Sequence, residues 1–469
     1  MDLGDASLRE VAAALAAGEV SSVELTRAAL ERAERANPVL NCFIRLEAEA
    51  ALETAALADR ARSKGRVLGP LHGVPLALKD MFYDPARETS SGSQIRRGYR
   101  GARRAGAAAR LRAAGAVDLG ALNMSEFALG PTGHNAVYGH CRNPWNPAYI
   151  AGGSSSGSGA AVAARLVYGA LGSDTGGSIR LPAAVNGILG LKPTYGRVSR
   201  AGAMRLSWSI DHIGPLARTA GDLARLLAVI AGPDPADPSA TRRPVPDYEA
   251  ALGRGVRGLT IGRPREFYFD GLDGEVGAAL EAALAALAGA GARVVEVRLP
   301  PQQHLTELSR AIVYAEAAAL HGHWLRTRPG DYSPQVRARA ATGIAIPAPV
   351  YLEALQLRSH LLRAFVTEVY AQCELLFTPT LSIPVPTIAA TDVGGGDAMW
   401  ETIAGLVRCV APFNYLGLPA LSVPAGFTAT GLPTAFQLVG RPYSEARLLA
   451  AAAGYQELTD WHRRRPAPP

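Results

Sequence analysis

The sequence predicts an α/β fold, which we expect to be a single α/β/α domain with a large mixed β-sheet core covered by helices. Short apolar runs alternate along the chain with segments of helical periodicity, and this alternation is typical of layered α/β proteins. Hydrophobic residues make up 48% of the 469 positions and charged residues 19%. Such a composition supports a sizeable buried core and argues against disorder.

The N-terminal part, residues 1–65, is predicted to be a helical segment that packs on the core, and residues 66–469 are predicted to form that core. Ser21 and Glu24 have the spacing of a capping box, in which the serine side chain accepts from a backbone N–H group and the glutamate reaches back to the serine. Apolar residues then recur at helical spacing, which predicts a helix from this point.

The remaining elements follow from short apolar runs and from turn residues. Residues 71–78 predict a buried strand that ends at Lys79. Prolines between 232 and 246 predict a loop, and the turn at 428–433 predicts a hairpin between the last two strands. Further strands are predicted at 116–122, 187–191, 258–263, 293–298, 374–378, 420–427 and 434–439, and helices at 102–115, 157–170, 274–291 and 444–460.

Charge and cysteine content narrow the class of protein. The net charge is +7, but the arginines are scattered, which indicates a solvated basic surface rather than a nucleic-acid-binding face. The four cysteines form no CxxC pair, which argues against a disulfide framework or a zinc site and favours the reducing cytoplasm. We expect no signal peptide and no membrane span, because the N-terminus lacks an apolar core and no apolar run reaches the ~18 residues that a span needs.

Two serine- and glycine-rich segments, residues 152–159 and 172–180, are the strongest candidates for chemistry. They could be flexible linkers, phosphate cradles, or turns that present a nucleophile and oxyanion-binding N–H groups. Their apolar, structured flanks argue against linkers. Neither segment matches GxxxxGK[ST], or GxGxxG followed by an acidic residue, which argues against nucleotide binding.

A nucleophilic serine needs a base, and Lys79 is the candidate. None of the nine histidines lies in a motif that marks it as a partner. Burial at the end of an apolar strand would lower the pKa of a lysine and leave a neutral amine that accepts a proton. A surface ion pair between Lys79 and Asp80 is the other interpretation, and the local sequence leaves both open.

Four motifs carry a family resemblance. Residues 73–80 read GVPLALKD, residues 152–155 read GGSS, residues 172–182 read GSDTGGSIRLP and residues 190–199 read GLKPTYGRVS. In this order they resemble the amidase signature family, and a weaker resemblance extends over almost the whole chain.

The resemblance implies a Ser-cisSer-Lys triad, with Lys79 as general base, Ser154 as the relay serine after a cis peptide bond, and Ser178 as the nucleophile. It implies that no metal and no organic cofactor takes part. One departure is Ser156, which stands where the family usually has glycine, so the conformation of this loop is open. The backbone N–H groups of the implied oxyanion hole belong to Thr175, Gly176, Gly177 and Ser178.

The implied activity is hydrolysis of a small-molecule carboxamide through a Ser178 acyl-enzyme by a stand-alone enzyme, for which a homodimer is one arrangement. The first alternative is the glutaminase component of a tRNA-dependent amidotransferase, its A subunit, which belongs to the same family. That component has an aspartate for the glutamine amino group seven residues before the position of Asn414, where this chain has Val407. Arg339 is either a counterpart of its carboxylate-binding arginine or an exposed helix residue.

The second alternative is an α/β-hydrolase esterase with Ser155 as nucleophile, since residues 153–157 satisfy GxSxG. That motif needs a strand directly before it, and residues 146–151 are a poor strand.

The substrate pocket is the least determined part of the site. Variable loops supply it in the implied family, and the candidates here are mostly apolar, which suggests an aryl or alkyl acyl group. The other interpretation is that several of them belong to the core. Arg180 could bind a carboxylate or pair with Asp174 to brace the oxyanion loop. The pocket candidates are Met81, Phe82, Leu129, Trp208, Ile210 and Ile344.

Overall fold

One eleven-stranded mixed sheet runs through the molecule in a computed structural model that describes residues 3–468. The strand order is β1-β3-β2-β4-β6-β5-β10-β11-β9-β7-β8. Strands β2, β3 and β4 are mutually parallel, as are β7, β8 and β9, and antiparallel pairs join the two groups. The predicted single domain with a mixed sheet is therefore confirmed. The strands are β1 Phe43–Leu46, β2 Pro75–Lys79, β3 Val117–Leu122, β4 Ala170–Asp174, β5 Leu189–Lys192, β6 His212–Ala217, β7 Thr260–Pro264, β8 Arg293–Val297, β9 Leu375–Pro379, β10 Ala420–Phe427 and β11 Pro433–Gly440.

Helices cover the sheet. None of the helices between residues 3 and 468 is both long and apolar enough to cross a membrane. The helices are α1 Leu8–Ala17, α2 Ser22–Leu40, α3 Ala48–Ser63, α4 Gly106–Ala113, α5 Ser156–Ala163, α6 Arg180–Asn186, α7 Ala220–Ile230, α8 Gly274–Gly289, α9 Gln302–Thr327, α10 Pro334–Thr342, α11 Ala348–Val369, α12 Ile388–Thr391, α13 Asp397–Val407, α14 Ala411–Tyr415 and α15 Glu445–Leu458.

The alternation of side chains along β2 shows the layered core. Leu76 and Leu78 belong to the hydrophobic cluster that includes residues of α7, α8 and α15, whereas Ala77 belongs to a second cluster with residues of α2, α3 and α5. Successive strand residues point to opposite faces of a sheet, so helices must cover both faces. Lys79 follows Ala77 by two residues and therefore starts from the face that α5 covers.

The N-terminal segment adds a strand to the central sheet, whereas the sequence predicted only helices there. The capping box forms, since the Glu24 N–H donates to Ser21 Oγ at 3.1 Å and the Ser21 N–H donates to Glu24 Oε2 at 2.8 Å. Residues 1–65 are not purely helical, however, because Phe43–Leu46 forms β1 and pairs antiparallel with β3. A four-residue strand at a sheet edge carries too short a pattern to stand out in the sequence.

The topology brings the two candidate segments together. Strands β2 and β4 are parallel neighbours, with Leu78 beside Leu171. The carboxyl ends of parallel strands lie at the same edge of a sheet, so Lys79 and the turn after Asp174 meet there. On the C-terminal side, α9 packs against α10, α11 and α14 and forms one wall above this edge.

Candidate active site

Lys79 is fully buried and is surrounded by serine hydroxyls. Its amine lies 2.7 Å from Ser154 Oγ, 2.9 Å from Ser173 Oγ and 3.1 Å from Ser155 Oγ. Burial lowers the pKa of Lys79 to about 7, although the charges of Asp211 and Asp174 oppose this shift. The interpretation of Lys79 as a surface partner of Asp80 is therefore wrong, because the fold buries both residues and gives the lysine three hydroxyl neighbours.

Ser154 lies in a closely packed loop before α5. The Gly153–Ser154 peptide bond is cis. The Ser154 carbonyl accepts from the Ser125 N–H at 3.1 Å, and the Gly153 N–H donates to the Pro131 carbonyl at 2.7 Å. These hydrogen bonds hold the loop at residues 130–131 against the serine and fix the backbone on both sides of the Gly153–Ser154 bond. The Ser154 side chain that contacts Lys79 therefore extends from a fixed backbone.

Asp174 and Arg180 brace the turn that carries Ser178. Both side chains are fully buried, and the guanidinium contacts the carboxylate in two places at 3.1 Å. Asp174 also accepts from the Gly177 N–H at 2.7 Å and from the Ile179 N–H at 3.1 Å. Burial alone would raise the pKa of Asp174, but the charge and hydrogen bonds of Arg180 hold the pKa below its ordinary value. Of the two roles that the sequence allowed for Arg180, the structure confirms pairing with Asp174.

Ser178 contacts the neighbouring Ser155 and borders a cavity. Its carbonyl accepts from the Ser155 N–H at 3.2 Å, and Ser178 is one of the residues that line a cavity of about 300 Å³. No hydrogen bond reaches the Ser178 hydroxyl from the residues described in the structure. Of the two contacts that the implied triad needs, the one between Lys79 and Ser154 is therefore formed, and the one between the Ser154 and Ser178 hydroxyls is not.

The predicted oxyanion hole is only partly available. Thr175, Gly176 and Ser178 line the cavity, whereas the Gly177 N–H donates to the Asp174 carboxylate. The prediction of Gly177 as an oxyanion donor is therefore not supported, because a buried carboxylate needs this N–H group as compensation.

Asp211 is a site residue that the sequence analysis missed. It is buried, and its carboxylate accepts from the Thr175 hydroxyl at 2.6 Å and from the N–H groups of Leu206 and Ser207 at 2.9 and 3.0 Å. Burial raises the pKa of Asp211, and the hydrogen bond from Thr175 opposes that shift. Asp211 thus ties the turn that begins at Thr175 to the start of β6. No local motif marks it, since its partners come from separate segments.

Helices from the C-terminal half wall the cavity. On α9, residues 306, 310, 313 and 314 share one face, as their spacing of three and four predicts. The loop at residues 130–131 and Leu206 complete the wall near Ser178. The side chains that project from the three helices α9, α10 and α13 include Arg310, Tyr314, Arg339, Trp400, Ile403 and Val407.

None of the six predicted pocket residues lines this cavity. Four of them are core residues, because their apolar side chains are nearly or fully inaccessible to solvent. Ile344 lies on the surface and is 69% exposed. Trp208 is partly exposed and its carbonyl accepts from the Tyr195 hydroxyl at 3.0 Å. Two sequence neighbours of the predicted residues, Ala128 and Leu206, lie on the cavity instead. The four core residues are Met81, Phe82, Leu129 and Ile210.

Arg339 is buried in the cavity wall rather than exposed on a helix surface. It is 8% exposed, and its Nη2 donates to the Tyr314 hydroxyl at 3.3 Å. Its Nε has no hydrogen-bond partner within residues 3–468. The second residue singled out for the amidotransferase comparison, Val407, also lines the cavity.

One group of metal-ligating side-chain types occurs among the described residues, namely His134, His140 and Asp392, whose ligand atoms lie within 4.8 Å of one another. His140 Nδ1 accepts the Asn135 N–H at 3.1 Å, so the neutral ring carries its proton on Nε2. Neither nitrogen of His140 then offers a free lone pair, so this arrangement does not suit a metal ion. None of the three residues lines the cavity.

The esterase alternative does not fit the structure. Ser155 is fully buried, its hydroxyl is 3.2 Å from the Ser173 carbonyl, and residues 153–155 form a bend with no strand directly before it. A nucleophile elbow needs a strand before the serine and an exposed hydroxyl, and both are missing here.

A mixed sheet covered by helices brings a buried lysine and a serine after a cis peptide bond to the edge of an open cavity. The chain belongs to the amidase family, whose model matches residues 24–449.

Relatives with similarity over nearly the whole chain include A subunits of amidotransferases. The chain is 42% identical to the A subunit of the glutamyl-tRNA(Gln) amidotransferase of Chloroflexus aurantiacus, over 97% of this chain and 96% of that protein. It is 40% identical to the corresponding protein of Myxococcus xanthus over 99% of both chains. These relatives favour the amidotransferase alternative over the stand-alone hydrolase.

Solved structures include enzymes of other kinds. A protein from a vestigial complex, connected with the origin of an s-triazine catabolic enzyme, has a TM-score of 0.88 at 34% identity and covers 96% of this chain, with 98% of that chain matched. The native peptide amidase from Stenotrophomonas maltophilia has a TM-score of 0.85 at 34% identity and covers 99% of this chain, with 98% of that chain matched. The fold therefore occurs both in a peptide amidase and in a protein of a complex connected with s-triazine catabolism.

Proposed function

We propose that this chain hydrolyses the C–N bond of a carboxamide through an acyl-enzyme on Ser178, with Ser154 as proton relay and Lys79 as general base. The observation that carries the proposal is the 2.7 Å contact between the buried Lys79 amine and the Ser154 hydroxyl, beside a cavity that Ser178 lines. A pKa of Lys79 near 7 supports it, because a base works best when its pKa lies near the working pH.

The proposed reaction has two halves. Ser178 Oγ adds to the amide carbonyl carbon while its proton passes through Ser154 to neutral Lys79. The N–H groups of Thr175, Gly176 and Ser178 stabilise the oxyanion. The C–N bond then breaks, and the nitrogen leaves as ammonia or an amine with the proton that the relay returns. Water attacks the ester with the same proton transfers, which releases the carboxylic acid and restores Ser178.

A second candidate is the glutaminase role within a tRNA-dependent amidotransferase, which end-to-end similarity to the A component of such enzymes favours. In that role the chain hydrolyses glutamine and passes ammonia to a partner protein, and it works in a complex rather than as a homodimer. Both candidates fit a cytoplasmic location, since the four cysteines of the chain are unpaired and buried.

Mass spectrometry of the trapped acyl-enzyme tests the proposal. The purified chain is mixed with a panel of primary amides and anilides and quenched within one turnover. We expect the mass of the acyl group on wild type and none on Ser178→Ala, which also releases no ammonia. Ser155→Ala is the matched control, because Ser155 also contacts Lys79 but is not on the proposed relay, so the adduct remains. An adduct that persists in Ser178→Ala, or that maps to Ser155, contradicts the proposal.

Glutamine hydrolysis by the isolated chain, compared with simple amides, addresses the second candidate. A chain that needs a partner protein for any turnover supports the amidotransferase role, and turnover of simple amides without a partner supports the stand-alone hydrolase.

A further inference from the structure

Two adjacent residues in the loop beside Ser154 have an unusual backbone conformation. Phe127 has φ 51° and ψ 26°, and Ala128 has φ 62°, so both lie in the left-handed region. Of the non-glycine residues with positive φ in the described part of the chain, these two alone are adjacent. A Cβ atom makes this conformation unfavourable, so it persists only where the surrounding structure imposes it, and it is concentrated at functional sites.

This left-handed turn is hydrogen-bonded to the backbone around Ser154. The Ala128 N–H donates to the Ser125 carbonyl at 2.9 Å, and the Ser125 N–H donates to the Ser154 carbonyl at 3.1 Å. The Ser125 hydroxyl donates to the Gly130 carbonyl at 3.0 Å, which closes the loop. A methyl group added to Gly153 would collide with that same carbonyl oxygen. Because no free space separates the loop from this backbone, a change in the turn would move Ser154.

An aromatic cluster holds the Phe127 side chain, which is 1% exposed. The Phe127 ring lies edge-on to His321, with centroids 4.5 Å apart, and stacks on Trp324 at 5.6 Å. Tyr332 lies 5.7 Å from the same ring. Aromatic pairs at these distances attract one another. None of the four rings lines the cavity, whereas Ala128 does, so the ring is held by contacts outside the cavity while its neighbour forms part of the wall.

Polar contacts fix the backbone on the N-terminal side of the turn. The Phe127 N–H donates to the Ser91 carbonyl at 2.9 Å. The buried Glu126 carboxylate accepts from the Ser93 hydroxyl at 2.7 Å and from the Ser333 hydroxyl at 2.7 Å. These partners come from two segments that are distant in the chain. Tertiary contacts, rather than local sequence, therefore determine the conformation of the turn.

We propose that Phe127 is a positioning residue for Ser154. Its ring, held by the aromatic cluster, keeps residues 125–131 in the conformation that places the Ser154 hydroxyl against the Lys79 amine, 2.7 Å away. Phe127 does not line the cavity, so it acts through the relay serine rather than on the substrate. The inference rests on the proposed function, in which Ser154 transfers the proton. Loss of the ring should therefore lower kcat more than it changes KM.

Alanine and glycine at position 127 separate positioning from packing in the purified full-length chain. Both substitutions remove the ring, but only glycine adopts the left-handed conformation without a Cβ penalty. Ammonia release from glutamine, butyramide or benzamide, whichever wild type hydrolyses fastest, gives kcat and KM below the melting temperature of every variant.

Phe127→Ala should lower kcat on the order of 100-fold, the usual effect of displacing a reacting group by about an ångström. Phe127→Gly should exceed Phe127→Ala by about tenfold, the factor by which a Cβ atom disfavours the left-handed region. A role in packing alone predicts that glycine is no better than alanine, because glycine gives the unfolded chain more conformational freedom.

Phe377 supplies the matched control. It is a buried phenylalanine in the extended backbone of β9, and its ring stacks on Phe436 with centroids 4.5 Å apart. Phe377→Gly should not exceed Phe377→Ala in kcat. Trp324→Ala is a milder variant, because Trp324 is partly exposed and lies outside both the turn and the cavity wall. It should lower kcat severalfold in wild type and have no further effect in Phe127→Gly, which has no ring to hold.

The outcomes separate the inference from the proposed function. If wild type shows no Ser178-dependent turnover of any of the three amides, the proposed function fails and this inference fails with it. If wild type is active and Phe127→Gly does not exceed Phe127→Ala, or if Trp324→Ala has the same effect in both backgrounds, only the inference is overturned. Should both variants at position 127 fail to fold, Trp324→Ala decides alone: a lower kcat at unchanged KM supports the inference, and any other result overturns it.

Discussion

The protonation state of Lys79 makes the proposed mechanism testable through pH. The fold lowers the pKa of this buried amine to about 7, so roughly one tenth of the enzyme holds a neutral lysine at pH 6 and about nine tenths at pH 8. Only the neutral form accepts a proton, so kcat/KM should rise about tenfold from pH 6 to pH 8 and level off above that. Initial rates of ammonia release at low substrate concentration, from pH 5 to pH 9, measure this limb.

Substitution of Asp211 should shift the pKa of Lys79 in a direction that the structure predicts. The negative charge of Asp211 raises the pKa of Lys79, so Asp211→Asn should move the inflection to lower pH. The height of the plateau will also fall, because Asp211 accepts hydrogen bonds from Thr175 and two backbone N–H groups, but the inflection is independent of that height. Glu281→Gln is the matched control, since it removes an exposed carboxylate that pairs with Arg263 on the surface.

Three results would refute this account of the base. A profile that is flat from pH 5.5 to 9, or an inflection that moves upward in Asp211→Asn, means that Lys79 is not the titrating base. Asp80 is a competitor, because burial raises its pKa to about 6. An organic co-solvent distinguishes them, since it raises the pKa of a carboxylic acid and leaves that of an ammonium nearly unchanged. An inflection that follows the carboxylic pattern would also exclude Lys79.

Two further predictions concern stability. Arg180→Met should lower the free energy of unfolding by about 3–5 kcal/mol, because it leaves the buried Asp174 carboxylate without its cation, whereas Arg263→Met, which breaks the exposed pair with Glu281, should change it by less than about 1 kcal/mol. Urea denaturation of both variants checks this, and equal losses would show that the pair does not stabilise the turn. Lys79→Met tests whether the lowered pKa of Lys79 makes stability depend on pH. Between pH 7 and 10, Lys79 carries a proton in the unfolded wild type but not in the folded protein. The unfolding free energy of wild type should therefore rise by about 1.4 kcal/mol per pH unit relative to that of the variant. A difference in unfolding free energy that stays constant over this range contradicts a folded pKa near 7.

Strands with strong local signals could be predicted well. The prediction of a strand at 420–427 matches β10, and the hairpin with β11 forms as the turn residues indicated. Strands β4 and β6 were missed. β4 reads ALGSD, and its polar end was interpreted only as part of a serine- and glycine-rich turn. Such a strand is stabilised by its two neighbours in the sheet rather than by its own residues, so local propensity does not reveal it.

The lining of the cavity beside Ser178 could not be predicted from neighbouring sequence. Apolar residues next to a catalytic motif have the same composition whether they line a cavity or pack in the core, and Met81 and Phe82 proved to be core residues. The actual wall comes from helices more than 120 residues after Ser178 in the chain, α9, α10 and α13.

The linear sequence by itself determined which side chains are available for acyl transfer. Lys79, Ser154 and Ser178 stand in motifs that resemble the amidase signature family, and these motifs are readable without coordinates. Tertiary structure alone decided the electrostatics. The low pKa of Lys79, the use of the Gly177 N–H by Asp174 and the unpaired state of Arg339 depend on burial and on partners distant in the chain. Burial and distance set the strength of charge interactions, and neither quantity exists until the chain has folded.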